Sequence, residues 1–184
     1  MAALSAGGLL VAPSAFAADS VTQAVIGGTR SASVAAMSLA SVVTAHTVQN
    51  NTGTMTLTVD DSSGTGAGWN VTEQVSDFAY SGSNSGTAIP ASAFSITSVG
   101  AVASTAGEAI SNTGTDGAPT GPQSANITNG VSGSLDTAVK VIRAGANYGS
   151  GTYTQPINVN LAIPADTRAG TYTATLTTTL AAAP

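Results

Sequence analysis

The chain has 184 residues, a formal net charge of −5 and only 7% charged residues, where an average soluble domain carries about 25%. Its four basic side chains, Arg30, Lys140, Arg143 and Arg168, are scattered, which argues against a nucleic-acid backbone or an anionic membrane surface as partner, since both need clustered Lys/Arg. There is no cysteine, so disulfides and thiolate metal sites are excluded.

The length suits one domain. Residues 1–17 form a short apolar run ending in Ala15-Phe16-Ala17, an A-x-A pattern that predicts a signal peptide cleaved after Ala17. The basic n-region of such a signal is missing, which fits a start placed too late in the reading frame or, less simply, a non-standard signal. No later stretch reaches a transmembrane length, and the end, LTTTLAAAP, has neither a hydrophobic anchor with a basic stop nor a sortase-type LPxTG signal. The expectation is an exported, soluble protein, 18–184, held to the cell by non-covalent contacts if it stays there.

Val21–Ile26 predicts one early strand, and residues 34–43 fit a strand or a short helix equally well by pattern. Asn50-Asn51-Thr52-Gly53 predicts a turn. In TMTLTVDD, Met55, Leu57 and Val59 alternate with Thr54, Thr56 and Thr58, the period of a half-buried strand. Asp60 to Gly68 read as a polar, glycine-rich loop. Trp69 and Val71 resume the alternation on one face, and Glu73 then falls where a third apolar residue belongs: at an edge, at a bulge or paired. Ala93–Val99 and Val139–Ile142 predict strands, with long loops and short strands at most between 103 and 136. Ile157, Val159, Leu161 and Ile163 alternate cleanly; Tyr172, Ala174, Leu176 and Leu180 face one way against five threonines, with the Thr178 hydroxyl on their own face. The pair 157–163 and 171–180 reads as a hairpin. Gly-Thr-Tyr-Thr, at Gly151 and again at Gly170, opens a strand each time. Strands at this spacing with no long helix predict an all-β domain, a single antiparallel β-sandwich of the Ig-like, Greek-key type. A membrane barrel would need aromatic girdles that three Phe, four Tyr and one Trp cannot supply.

The catalytic signals are poor. His46 is the only histidine, and no serine has the setting of a Ser-His-Asp nucleophile. GTGAG lacks the Lys-Ser/Thr of a phosphate loop and precedes a strand. Asp60, Asp61, Glu73 and Asp77 are near in sequence, but surface or edge carboxylates explain them more simply than the two positioned acids of a glycosidase. Asp60-Asp61-Ser62-Ser63-Gly64 lacks the EF-hand spacing for Ca²⁺ and reads as an Asx-rich turn. No enzyme, cofactor or metal is expected. The sequons at Asn50, Asn70 and Asn126 are attributed to composition.

The stretch DDSSGTGAGWNV, followed far downstream by IPADTRAGTYTATLTTTL, resembles the WxL domain family of exported surface proteins of Gram-positive bacteria, and more the actinobacterial variants than the low-GC ones. The resemblance spans 18–184. It implies non-covalent cell-wall association, attributed in the family to peptidoglycan binding through two motifs. The first falls on Trp69-Asn70-Val71, with Val in the Leu place; the second falls on Thr178-Thr179-Leu180, with Thr178 where the second Trp would stand. Trp69, Val71, Thr178 and Leu180 are therefore the wall-binding candidates that the resemblance implies. Alternation by itself places Trp69 beside Val71 on the core face, as a pin between sheets; as a sugar platform, the same indole would stack on a pyranose ring. A wall glycan is the expected partner. A strand-edge contact with another surface protein is the alternative.

Overall fold

The computed structural model describes residues 21–182, so the segment read as a signal peptide lies outside the described residues. Twelve strands follow in order: β1 (Arg30–Val34), β2 (Gln49–Asp61), β3 (Trp69–Val75), β4 (Ala79–Ser81), β5 (Phe94–Val99), β6 (Ala103–Gly107), β7 (Gln123–Ser124), β8 (Gly133–Ser134), β9 (Val139–Ala144), β10 (Gly151–Ile163), β11 (Thr171–Thr173) and β12 (Leu176–Ala182). The only helical element among the described residues is one 3₁₀ turn, Ala91–Ala93.

The strands make three antiparallel sheets. The largest runs β1-β2-β10-β5-β8, with β6 also paired to β10; the second runs β12-β3-β9-β7; β11 and β4 form a small third. The two 13-residue strands, β2 and β10, pair along their whole length, from Gln49↔Ile163 to Asp61↔Gly151. Their period-2 pattern turns Met55, Leu57 and Val59 inward, with Tyr153, Ile157, Val159 and Leu161 beside them. The second sheet contributes Trp69, Val71, Val75, Val141, Ile142 and Ala144 to the same buried cluster. One apolar core thus serves both larger sheets, each buried aliphatic side chain contributing about 1.5–3 kcal/mol. Pro156, which has no N–H to donate, falls where the strand beside β10 changes from β5 to β6, an interruption of the ladder that tolerates proline.

Several sequence expectations are corrected. Asn50–Gly53 is not a turn but part of β2, paired with residues 159–162 of β10. Gly53 serves packing: a Cβ there would lie 2.8 Å from Leu39 Cδ2. Residues 35–43 are neither strand nor helix; Met37 and Leu39 pack against the core, and the Ala40 carbonyl accepts a bond from Asn51 Nδ2 at 2.6 Å. Val21–Ile26 pairs with nothing and is exposed. Residues 157–163 and 171–180 do not form a hairpin: β10 lies between β2 and β5, whereas β11 crosses to β4 and β12 to β3. Each C-terminal strand pairs with an upstream strand of a different sheet, a long-range choice that local turn chemistry does not reveal.

Candidate functional site

The two motif regions meet on neighbouring strands. β12 pairs with β3 so that Trp69 stands opposite Ala182, Val71 opposite Leu180 and Glu73 opposite Thr178. The alternation sets Trp69, Val71 and Glu73 on the inward face of β3, all three at 0% exposure. Leu180 and Thr178 are half-buried on the same side of β12, with Leu180 packed against the core.

The indole of Trp69 is fixed at both ends. Its Nε1 donates to the Gly149 carbonyl at 3.0 Å, and its ring lies 6.2 Å from that of Tyr153, tilted by 42°. Tyr153 belongs to β10, and its hydroxyl donates to the Glu108 carbonyl at 2.9 Å. Trp69 therefore ties the second sheet to the first. The glycines around it have a steric task. Gly68 has φ +68°, and a Cβ there would sit 2.7 Å from the Ala144 carbonyl oxygen; Gly149 has φ +82°, and a Cβ would sit 2.8 Å from the indole Nε1. Both the left-handed conformation and the close approach demand glycine. The glycine run before Trp69 thus turns the chain tightly into β3.

Glu73 is the unusual member. Thr178 Oγ1 donates to its Oε2 at 2.9 Å, while its buried Oε1 has no partner. Burial pushes its carboxyl up to about 7, against the opposing effect of the Thr178 hydrogen bond. A neutral carboxylic acid suits this apolar setting because desolvation penalises the charged form. Thr178 is thus the sole hydrogen-bond partner of a core carboxyl. Sequence reasoning singled out Glu73 and Thr178 separately, each a polar residue at an inward position, and missed that they face each other.

The other acidic residues do not converge on Glu73. Asp60 points outward and accepts from Thr152 Oγ1 at 2.6 Å. Asp61 is buried against Arg30, Nε to Oδ2 at 3.0 Å; burial works against its charge, but hydrogen bonds from Ser63 and the Arg30 guanidinium outweigh it and hold the carboxyl below its ordinary value. Asp77 Oδ1 accepts from the Ala91 N–H at 2.8 Å. His46 pairs with Asp166 on the exposed surface. Among the described residues, no group of three His, Cys, Asp or Glu side chains is placed to hold a metal ion, and no helix is long and apolar enough to cross a membrane.

The family model described as WxL domain, surface cell wall-binding, matches residues 21–184. The chain belongs to the WxL domain family. Its membership covers nearly the whole length, so both sheets and the Trp69–Thr178 ladder fall inside the matched region. Cell-surface and cell-wall association follows from that membership. Comparison with curated proteins and with solved structures yields no match.

Outside the ladder, the broad outer face of the first sheet is rich in hydroxyls and amides and nearly free of charge. Thr52, Thr54 and Thr56 of β2 are exposed there. Asn158 on β10 accepts from Thr54 Oγ1 at 2.8 Å and donates to Ser98 Oγ at 3.0 Å, and Asn160 Nδ2 donates to Asn50 Oδ1 at 3.0 Å. Across β2, β10 and β5 the one outward charged side chain is Asp60. Sequence reasoning foresaw the hydroxyl-rich strands but not the amide-hydroxyl network that knits three of them together.

Proposed function

We propose that this WxL protein is exported through its 1–17 segment and that 18–184, with the two larger sheets as the layers of a sandwich, associates non-covalently with a wall glycan such as peptidoglycan and catalyses nothing. The observation that carries the reading is the pairing of family membership with an outer face rich in hydroxyls and amides and nearly free of charge. Such a face exchanges water hydrogen bonds for glycan hydrogen bonds without desolvating ions. Trp69, Val71, Thr178 and Leu180 then serve binding indirectly, by fixing one sheet on the other. Co-sedimentation of residues 18–184 with purified Gram-positive cell wall tests this. The reading expects the protein in the pellet, and a protein left wholly in the supernatant overturns it.

A second reading has its own observation. β1 and β12 are edge strands lying close together, and β12 carries no charge, so nothing on it repels an added strand. An assembly subunit that pairs by strand edges would self-associate or capture a second surface protein. Sedimentation velocity over a wide concentration range distinguishes the readings, because a strict monomer counts against self-assembly.

A further inference from the structure

An open cleft of about 430 Å³ lies at the end of the outer face, between the last residues of β5 and the segment 124–132, which is the end of β7 and the loop after it (the 124–132 loop). Its size falls in the range of small-ligand sites, about 300–1,000 Å³. It is continuous with the neutral face described above, since Ser98 of its wall is the residue that Asn158 donates to, and Thr97 Oγ1 donates to the Asn158 carbonyl at 3.2 Å.

The lining has a definite chemistry. It contains no Asp, Glu, Lys or Arg and no aromatic ring. Hydroxyls come from Thr97, Ser98, Ser124 and Ser132, and amides from Asn126 and Asn129, while Ile127 presents an exposed aliphatic side chain at 44%. An anionic polymer would find no cation here. A plain hexose would lack the aromatic platform on which its C–H face stacks. An N-acetylated sugar matches better, because its acetamido group offers one amide donor, one amide acceptor and a methyl group that Ile127 can cover.

Both walls are held in place before any ligand arrives. Behind the loop, Asp116 Oδ1 accepts from the Ile127 N–H at 2.9 Å and from Arg143 Nη2 at 2.8 Å, and Asp116 Oδ2 accepts from the Thr128 N–H at 3.2 Å. Asn126 Oδ1 closes the loop on the Asn129 N–H at 2.9 Å. On the other side, the Gly100 N–H donates to the Pro156 carbonyl at 2.7 Å, and the Gly100 carbonyl accepts from the buried Gln155 Nε2 at 3.2 Å. A cleft whose loop is ordered in advance loses less entropy on binding.

From these observations we infer that the cleft between β5 and the 124–132 loop is the binding site for a neutral, N-acetylated glycan chain. The inference rests on the wall-association reading and adds to it a place and a ligand class away from the Trp69–Thr178 ladder.

The test uses residues 18–184 and a soluble oligomer, chitotetraose, followed by amide chemical shifts, with wall co-sedimentation in parallel. Two variants probe the cleft: Ile127→Ala with Asn129→Ala removes the predicted contacts, and Ser132→Trp fills the space. Thr177→Ala on β12 is the control, and circular dichroism checks the fold of each. The expected result is that chitotetraose shifts amides within 97–101 and 124–132, and that both cleft variants weaken it at least tenfold while the control does not. Unchanged amides in those segments, or folded cleft variants that bind as the parent does, overturn the cleft assignment; if the parent still pellets with wall, wall association stands. Chitotetraose binding in the cleft by a protein that fails to pellet supports the site and overturns wall association.

Discussion

Glu73 offers a sharp test of the packing described here, because its protonation is tied to folding. In the unfolded chain its carboxyl titrates near the ordinary 4.5, and in the fold burial raises it to about 7. At about 1.4 kcal/mol per pH unit, that gap is worth about 3 kcal/mol. The sign follows from proton counts. Between the two values the unfolded chain has released the proton and the folded one has kept it, so stability falls as pH rises. The contribution is intact below pH 4.5, declines through the interval and is lost once pH passes about 7. The perturbation is Glu73→Gln, which keeps the shape and a polar group facing Thr178 but cannot ionise. Urea unfolding at half-unit steps from pH 5 to pH 8.5 measures it. The parent should lose about 2.5 kcal/mol relative to the variant across that range, the rest of the loss falling below pH 5. Asp61 and Asp116 work in the opposite sense and in a lower window: both are held below the ordinary carboxylate value, so their contributions are present above that value and fade only as pH falls through it. Parallel pH profiles for parent and Glu73→Gln would refute the buried, neutral carboxyl.

Trp69→Ala should cost about 3–5 kcal/mol, the usual loss for emptying a large aromatic site, read as a lower urea midpoint with an unchanged slope. Gly149→Ala should cost at least about 1–2 kcal/mol from the left-handed backbone and more from the close indole Nε1, seen as a lower melting temperature together with a shifted Trp emission. Thr178→Val should cost more at pH 8 than at pH 5, because a hydrogen bond to a charged carboxylate is worth about 1.5–3 kcal/mol and one to a neutral group about 1 kcal/mol; equal losses at both pH values would count against the Thr178–Glu73 bond.

Local alternation made the inward faces of β2, β3, β10 and β12 readable, because inward positions return every second residue, most of them are apolar and the core lies on one side. The same alternation placed Trp69 inward and marked Glu73 and Thr178 as polar residues at core positions. Pairing was not readable. Asn50–Gly53 has turn composition, yet β10 is long enough to hold it in a strand. Pro164–Gly170 looks like a hairpin turn, yet β11 and β12 have partners, β4 and β3, far upstream. Such partners are chosen by the whole core, so the Glu73–Thr178 contact became visible only with the register. The cleft was hidden for a related reason: its walls come from β5 and from a loop in the least regular part of the chain, held by Asp116 and Arg143 from two other segments.

On the proposed function, Trp69 holds the two sheets together and the wall glycan binds elsewhere. Because Trp69 is the only tryptophan, acrylamide quenching of its fluorescence, with and without saturating soluble wall fragments, separates a structural indole from a binding one. A blue-shifted emission, poorly quenched in the free protein and unchanged when fragments bind, is the predicted result. An indole that is readily quenched in the free protein and becomes shielded on binding would overturn this and make Trp69 the contact itself.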